Sequence, residues 1–318
     1  MVSAQPAQTA EWPSLPYAAL KDTCEVLRLW AQIVGKVRLV QTPWLNHSWQ
    51  VPLYVTARGL TTSLIPHSQG GFDLEFDFVD QVLRLRTSWG RAGETPLEPQ
   101  SVASFHGRVM QALAQAGAPV SIDAMPSEIV DPVPFDQDHA TRAYDPEIAR
   151  RFWRALVRID EVFKRFRTGF LGKASPVHLF WGSFDLAVTR FSGRRAPPHP
   201  GGVPHLPDAV AREAYSHEVS SAGFWPGGSG VDYPAFYAYA YPEPPGFREA
   251  AVGPAGAAFN AELGEFLLPY ETVRGAADPA AALMAFLTST YEAAADAGAW
   301  DRAALECGIG QPGVPRPV

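Results

Sequence analysis

Apolar residues recur at steps of three and four in two long stretches of the chain, and at every second position in the stretches between them. In residues 17–34 (YAALKDTCEVLRLWAQIV), Leu20, Cys24, Leu27, Trp30 and Val34 fall along one face of a helix. Residues 146–170 repeat the device with Ile148, Phe152, Leu156, Ile159, Phe163, Phe166 and Phe170. There Asp145 stands as N-cap and Pro146 at the first helical position. A Gly-Lys pair follows each helix, at 35–36 and at 172–173.

After each Gly-Lys the period changes to two. His47 opens a run with Trp49, Val51, Leu53 and Val55 on one side, and His178 opens another with Phe180, Phe184, Leu186 and Val188 on one side, so both are expected to be strands. His67 (PHSQGG) and His199 (PHPGG) then stand in matched turns. Further strands are expected where Leu74, Phe76 and Phe78 alternate with Asp73, Glu75 and Asp77, and at AFYAYAY, 235–241. Each half closes on a helix, one carrying Val102, Phe105, Val109 and Leu113, the other Leu283, Phe286, Leu287 and Tyr291.

The pattern predicts an α+β protein made of a duplicated unit of helix, antiparallel strands and helix, packed as one pseudo-twofold body. The expected layout is an N-terminal tail (1–16), a first repeat (17–126), a Pro- and Asp-rich connector (127–145), a second repeat (146–300) and a C-terminal tail (301–318).

Composition narrows the function classes. With 318 residues, 47% of them hydrophobic, the chain can bury a substantial core. A formal charge of −7 argues against nucleic acid as a partner, since that affinity rests on Lys and Arg neutralising phosphates. Two cysteines offer neither a disulfide framework nor a thiolate zinc site. The opening lacks the basic start and apolar core of a secretion signal, and no run of apolar residues is long enough to span a membrane, so a cytoplasmic protein is expected.

The second repeat is the richer in chemistry. The stretch GGVPHLPDAVAREAYSHEVSSAGFWPGG adds His205, His217 and Glu218 to His178 and His199. Imidazoles with a carboxylate are the usual ligands of zinc and non-haem iron, which makes His178, His199 and His217 candidate ligands of a divalent metal, or acid/base groups. On a strand His217 and Glu218 point to opposite faces, so Glu218 is instead a candidate catalytic carboxylate. Histidines in proline-rich loops equally serve to hydrogen-bond backbone, and no HExxH spacing occurs. Asp185, acidic within an apolar run, must be paired or face water, with Arg190 or Arg194 as its expected partner, and is the second catalytic candidate. Arg190 and Arg194 are candidates to bind an anionic substrate group, and Trp181, Trp225 and Tyr239 to line an apolar pocket. Neither a phosphate-binding glycine loop nor a GxSxG elbow is present.

Several longer stretches, among them WPSLPYAALKDTCEVLRLWAQIVGKVRL, GKASPVHLFWGSFDLAVTRFSGRRAPPHPGG, REAYSHEVSSAGFWPGG and AELGEFLLPYE, together resemble the bacterial family catalogued as domain of unknown function 5996. The resemblance runs over residues 11–306 and implies a bacterial cytoplasmic protein with no assigned activity. His178, Asp185, Arg190, His199, His217 and Glu218 lie within its motifs and His205 outside them. The expected function is an enzyme acting on a small organic molecule in a His/carboxylate pocket of the C-terminal half, with or without zinc or iron. The alternatives are a non-catalytic small-molecule binder and an interaction protein.

Overall fold

A computed structural model describes residues 12–228 and 230–316; the first eleven residues of the expected N-terminal tail lie outside it. Helix α1 (Tyr17–Gln41) leads into a short turn of 3-10 helix (Asn46–Ser48) and a first sheet. Its strands are β1 (Tyr54–Val55), β2 (Gly59–Thr61), β3 (Ile65–His67), β4 (Gly70–Asp77), β5 (Val82–Thr87) and β6 (Ala92–Pro96). They form an antiparallel meander in the order β1-β2-β4-β5-β6, with β3 folded back on β4. The register Leu74↔Leu85, Glu75↔Arg84 and Phe76↔Leu83 puts apolar pairs on one face and charge pairs on the other, as period-two sequence demands. The apolar face packs under α1 and α2 (Val102–Gln115), where Trp30 and Phe105 stack with centroids 4.6 Å apart.

A pair of two-residue strands, β7 (Gln100–Ser101) and β8 (Thr141–Arg142), leads to α3 (Pro146–Thr168). The Asp145 carboxylate accepts from the N–H groups of Glu147 and Ile148, which the helix itself cannot satisfy, so this end is capped as its residue types predict. The second sheet follows: β9 (His178–Phe180), β10 (Asp185–Arg195), β11 (His217–Trp225), β12 (Ala235–Tyr241), β13 (Ala258–Asn260) and β14 (Glu265–Pro269). It is antiparallel, in the order β13-β14-β12-β11-β10-β9, with the short helix α4 (Asp208–Ala214) inserted between β10 and β11. Helices α5 (Tyr270–Arg274), α6 (Pro279–Ala297) and α7 (Arg302–Leu305) complete the chain.

Across the second sheet, Leu186, Phe224, Phe236 and Leu268 align in one buried row. Each contributes about 1.5–3 kcal/mol by burial. This face lies against α3, α5 and α6. Leu53 and Leu179 exchange both backbone hydrogen bonds, at 2.9 and 2.8 Å, so the edge strand of the second sheet is stitched to the segment entering the first. One buried cluster runs unbroken from Trp12 to Trp300.

Three local expectations need correction. The run opened by His47 is a tight turn, with His47 at φ 59° and Ser48 at φ 57°, and only Tyr54–Val55 are strand. The run opened by His178 is a hairpin that reverses at Phe184, φ 62°, so its alternation belongs to two strands. Gly35 does not end α1. A Cβ there would lie 2.2 Å from the Trp181 indole, so glycine is required by the ring that packs on it. The expected tails are also docked at their inner ends: Tyr270 Oη donates to Pro13 O at 2.8 Å, and Cys307 N donates to Gly169 O at 3.2 Å.

Candidate active site

The face of the second sheet turned away from α3 and α6 floors a cavity of about 730 Å³. Alternation supplies the floor: Asp185, Ala187, Thr189 and Phe191 from β10, Val219 and Ser221 from β11, Tyr237 and Tyr239 from β12, Glu265 from β14. Pairings Ala187↔Gly223↔Tyr237 and Thr189↔Ser221↔Tyr239 put these on one side. Gly223 is required there, because a Cβ would lie 2.3 Å from the Tyr237 ring. The walls come from the other half of the chain and from the insertion: the end of α1 (Lys36, Leu39), the turn at His47–Trp49, the segment Ser127–Glu128, and α4 with the loop before it. The site therefore lies between the halves, and is not confined to the C-terminal one.

Hydrogen bonds fix its ends. His47 Nδ1 donates to Ala214 O (2.9 Å), His47 N donates to Glu213 Oε2 (2.8 Å), and Lys173 Nζ reaches His47 Nε2 at 2.5 Å, clamping the turn onto α4. At the other wall Arg28 donates to the carbonyls of Gly182 (2.6 Å) and Glu128 (2.8 Å), while Glu128 N donates to Pro204 O (2.9 Å). Among the described residues, nine non-glycine residues have positive φ, and His47, Ser48, Glu128, Phe184 and His205 are in or beside this cavity. Such strain costs about 1–3 kcal/mol per residue and collects at functional sites.

Four acidic residues line the cavity: Asp123, exposed and paired with Lys36, and the more deeply placed Asp185, Glu128 and Glu265. Asp185, 6% exposed, accepts from Tyr237 Oη and Ser183 Oγ. Burial holds its pKa above the usual carboxylate range, against the pull of those two donors and of Arg28. Glu128 is pushed up to about 7, by burial and then by the charge of Asp185. Glu265 is pushed up to about 7 for the same two reasons in the same order. Burial also keeps the Tyr215, Tyr237 and Tyr239 phenols neutral by raising their pKa values, and Tyr215 Oη lies 2.9 Å from Tyr239 Oη. The arrangement can donate and accept protons near neutral pH in a largely apolar, aromatic enclosure.

Of the residues singled out in the sequence, Asp185, Trp181, His205, Trp225 and Tyr239 line this cavity. Asp185 is held by Tyr237 and Ser183, and makes no ion pair with Arg190 or Arg194. The others are placed elsewhere. Arg190 projects from the opposite face of β10 into a cage of Phe166, Phe170 and Tyr291, with its carbon 3.6 Å from the Phe166 centroid, and donates to Phe166 O. Glu218 also faces away and is bound by Arg194 (2.6 Å) and Ser192 (2.8 Å), while Arg194 further donates to the carbonyls of Gly298 and Ala299. Both arginines and Glu218 are thus bracing groups.

The expected metal triad does not assemble. His178 is fully buried between the rings of Tyr54 and Phe180, neither ring nitrogen has a hydrogen-bond partner, and burial with the nearby Arg38 charge lowers its pKa to about 3. His199 stacks on Tyr215 outside the cavity wall, and its Nδ1 accepts from Gly201 N. His217 pairs with Ser216 Oγ at 3.0 Å. Among the described residues no three His, Cys, Asp or Glu side chains are grouped to hold a metal ion. Residues that reasoning from sequence missed are Glu128, in a stretch that looked like connector, Glu265, Arg28 and Tyr215. For Glu265 a signal existed: an acid alternating with the buried Phe266 and Leu268 must point off the core face.

The architecture defines an α+β protein with an acid-lined aromatic cavity. The chain belongs to the family described as "Family of unknown function (DUF5996)", which covers residues 12–307. No curated protein and no solved structure matches it. No helix among the described residues is long and apolar enough to cross a membrane.

Proposed function

We propose that the protein is an enzyme acting on a small organic molecule held in this cavity, with Asp185, Glu128 and Glu265 as its acid/base carboxyls and Trp181, Trp225 and Tyr239 as walls for the substrate. The observation that carries the reading is the placement of Asp185, Glu128 and Glu265 around one cavity, the last two with pKa values raised to about 7 by burial and by the charge of Asp185, where proton transfer is most efficient. Tyr237 and Ser183 orient Asp185. The reading also takes the two halves as diverged copies of one unit, 17–126 and 146–300. The common order of helix, meander and helix, and the antiparallel Leu53–Leu179 join of the two leading edges, support it. A bacterial cytoplasmic setting follows from the family resemblance.

A non-catalytic binder is the second reading, favoured by the engagement of both Asp185 oxygens with protein hydroxyls. The two separate in one experiment: a metabolite extract is incubated with the native protein and with Asp185→Asn, and both are followed by mass spectrometry. Time-dependent conversion of an extract component by the native protein and not by the variant supports the enzyme. Retention of an unaltered component by the native protein, with no conversion over time, supports the binder.

A further inference from the structure

Buried carboxylates elsewhere in this protein are neutralised by a cation within ion-pair distance. Asp77 is held by Arg58 (2.6 Å) and Arg84 (3.0 Å), Glu75 by Arg86 (2.8 Å), Asp138 by Arg142 (2.6 Å) and Asp160 by Lys164 (2.6 Å). The cavity carboxyls are the exception. Asp185 is as buried as these, yet among the described residues neither it nor Glu128 nor Glu265 makes an ion pair. The protein's nearby cations are turned to other uses. Arg28 spends its donors on two backbone carbonyls, and Lys36 Nζ is bound to Asp123 (3.2 Å) and Met125 O (2.6 Å). At the far end Lys173 is committed to His47, beside Glu213 and His217, and His205 is exposed at the mouth.

The charge of Arg28 reaches Asp185 and Glu128 without forming an ion pair, and the crowding of three carboxyls around it is relieved further either by protons or by a cationic ligand. The walls suit such a ligand, because Trp181, Trp225, Tyr237 and Tyr239 line the space and aromatic faces attract cations; Trp49 and Phe191, also in the lining, already carry the Lys173 ammonium at 5.3 and 4.8 Å from their centroids. A second feature lies on the same wall: Gln50, 3% exposed, has no acceptor for its Nε2, and Ser48 Oγ is also unpartnered, both atoms being covered and reachable from the cavity only by a side-chain rotation. Resting on the cavity reading above, we propose that the substrate is an organic cation, a quaternary ammonium or protonated amine on an apolar body, whose charged head is bound by Asp185, Glu128 and Glu265. Rotation of Gln50 or Ser48 toward the cavity would let either meet a hydrogen-bonding group on that body.

Cation binding must compete with protons. With Glu128 and Glu265 half-protonated at about 7, a permanently charged ligand binds tighter as pH rises and releases protons as it binds. The test uses three probes of similar shape: benzyltrimethylammonium, the neutral benzyldimethylcarbinol and the anionic phenylacetate, titrated calorimetrically into the full chain. The expected result is saturable binding of the ammonium at least about tenfold tighter than either other probe. Its affinity should fall about tenfold from pH 8 to pH 6, and its heat should depend on the buffer's ionisation enthalpy. Glu265→Gln and Asp185→Asn should each weaken the ammonium about tenfold or more without affecting the neutral probe. The buffer dependence is read on the unaltered protein, so misfolding of a variant does not remove the test. Equal or tighter binding of the neutral or anionic probe overturns the cationic class while leaving the cavity reading intact. Failure of all three to bind overturns both.

Discussion

Replacing Glu265 by Gln removes one cavity carboxyl while keeping its shape, and its effect on stability must depend on pH. The folded chain holds the Glu265 proton up to about 7, against an ordinary value of 4.5. Each pH unit between the two is worth about 1.4 kcal/mol, so complete ionisation in place costs about 3 kcal/mol; the partial exposure of the side chain brings the expected gap to about 2 kcal/mol. The sign follows from proton linkage. Between pH 4.5 and 7 the folded state binds the proton that the unfolded state has lost, so stability is greatest below this window and falls as pH rises through it. Glutamine cannot ionise. Urea unfolding of both proteins should therefore coincide at about pH 3.5, below the window, and at pH 8.5 the variant should be the more stable by about 2 kcal/mol. A constant offset between the two at all pH values, or a native protein that outlasts the variant in alkali, would refute the claim that this carboxyl is desolvated beside Asp185.

Tyr237→Phe removes a donor to the Asp185 carboxylate, so the Asp185 titration followed by carboxyl-carbon NMR should move up by about one pH unit. Gly35→Ala drives a methyl group into the Trp181 indole; chemical denaturation should show a loss of about 1–3 kcal/mol, together with changed tryptophan fluorescence. His178→Phe replaces an imidazole with two unpartnered nitrogens by an apolar ring, and thermal unfolding should show unchanged or slightly raised stability, by about 1 kcal/mol, with probe binding retained; loss of probe binding in a folded variant would return His178 to the site. Glu218→Gln breaks the Arg194 brace on the far face of β11 and should leave benzyltrimethylammonium affinity within about twofold of the native value.

The helices α1, α3 and α6 were legible because burial of a stripe enforces a period that any reader of residues can count, and Asp145 with Pro146 marked one start to the residue. The charged and apolar faces of β4 were legible for the same reason. The tight turn at His47 was not, because its left-handed φ is imposed by contacts to Ala214, Glu213 and Lys173, all more than 120 residues away. Histidine spacing misled. His178, His199 and His217 are close in sequence, yet one is in the core, one is stacked outside a wall and one is at a strand edge, since hairpins and an inserted helix intervene.

Residue order was enough to establish an α+β chain with antiparallel strands, its capped helices and an isolated acid at Asp185, because these follow from local periodicity and from the cost of burying charge. Assembly of the cavity was a matter for tertiary contacts. Glu128, Asp185 and Glu265 acquire their joint chemistry only when β10, β14 and the 127–128 segment meet around one cavity. Their pKa values depend on desolvation and, for Glu128 and Glu265, on the charge of Asp185, which are properties of distance through space, and linear spacing carries no record of that distance.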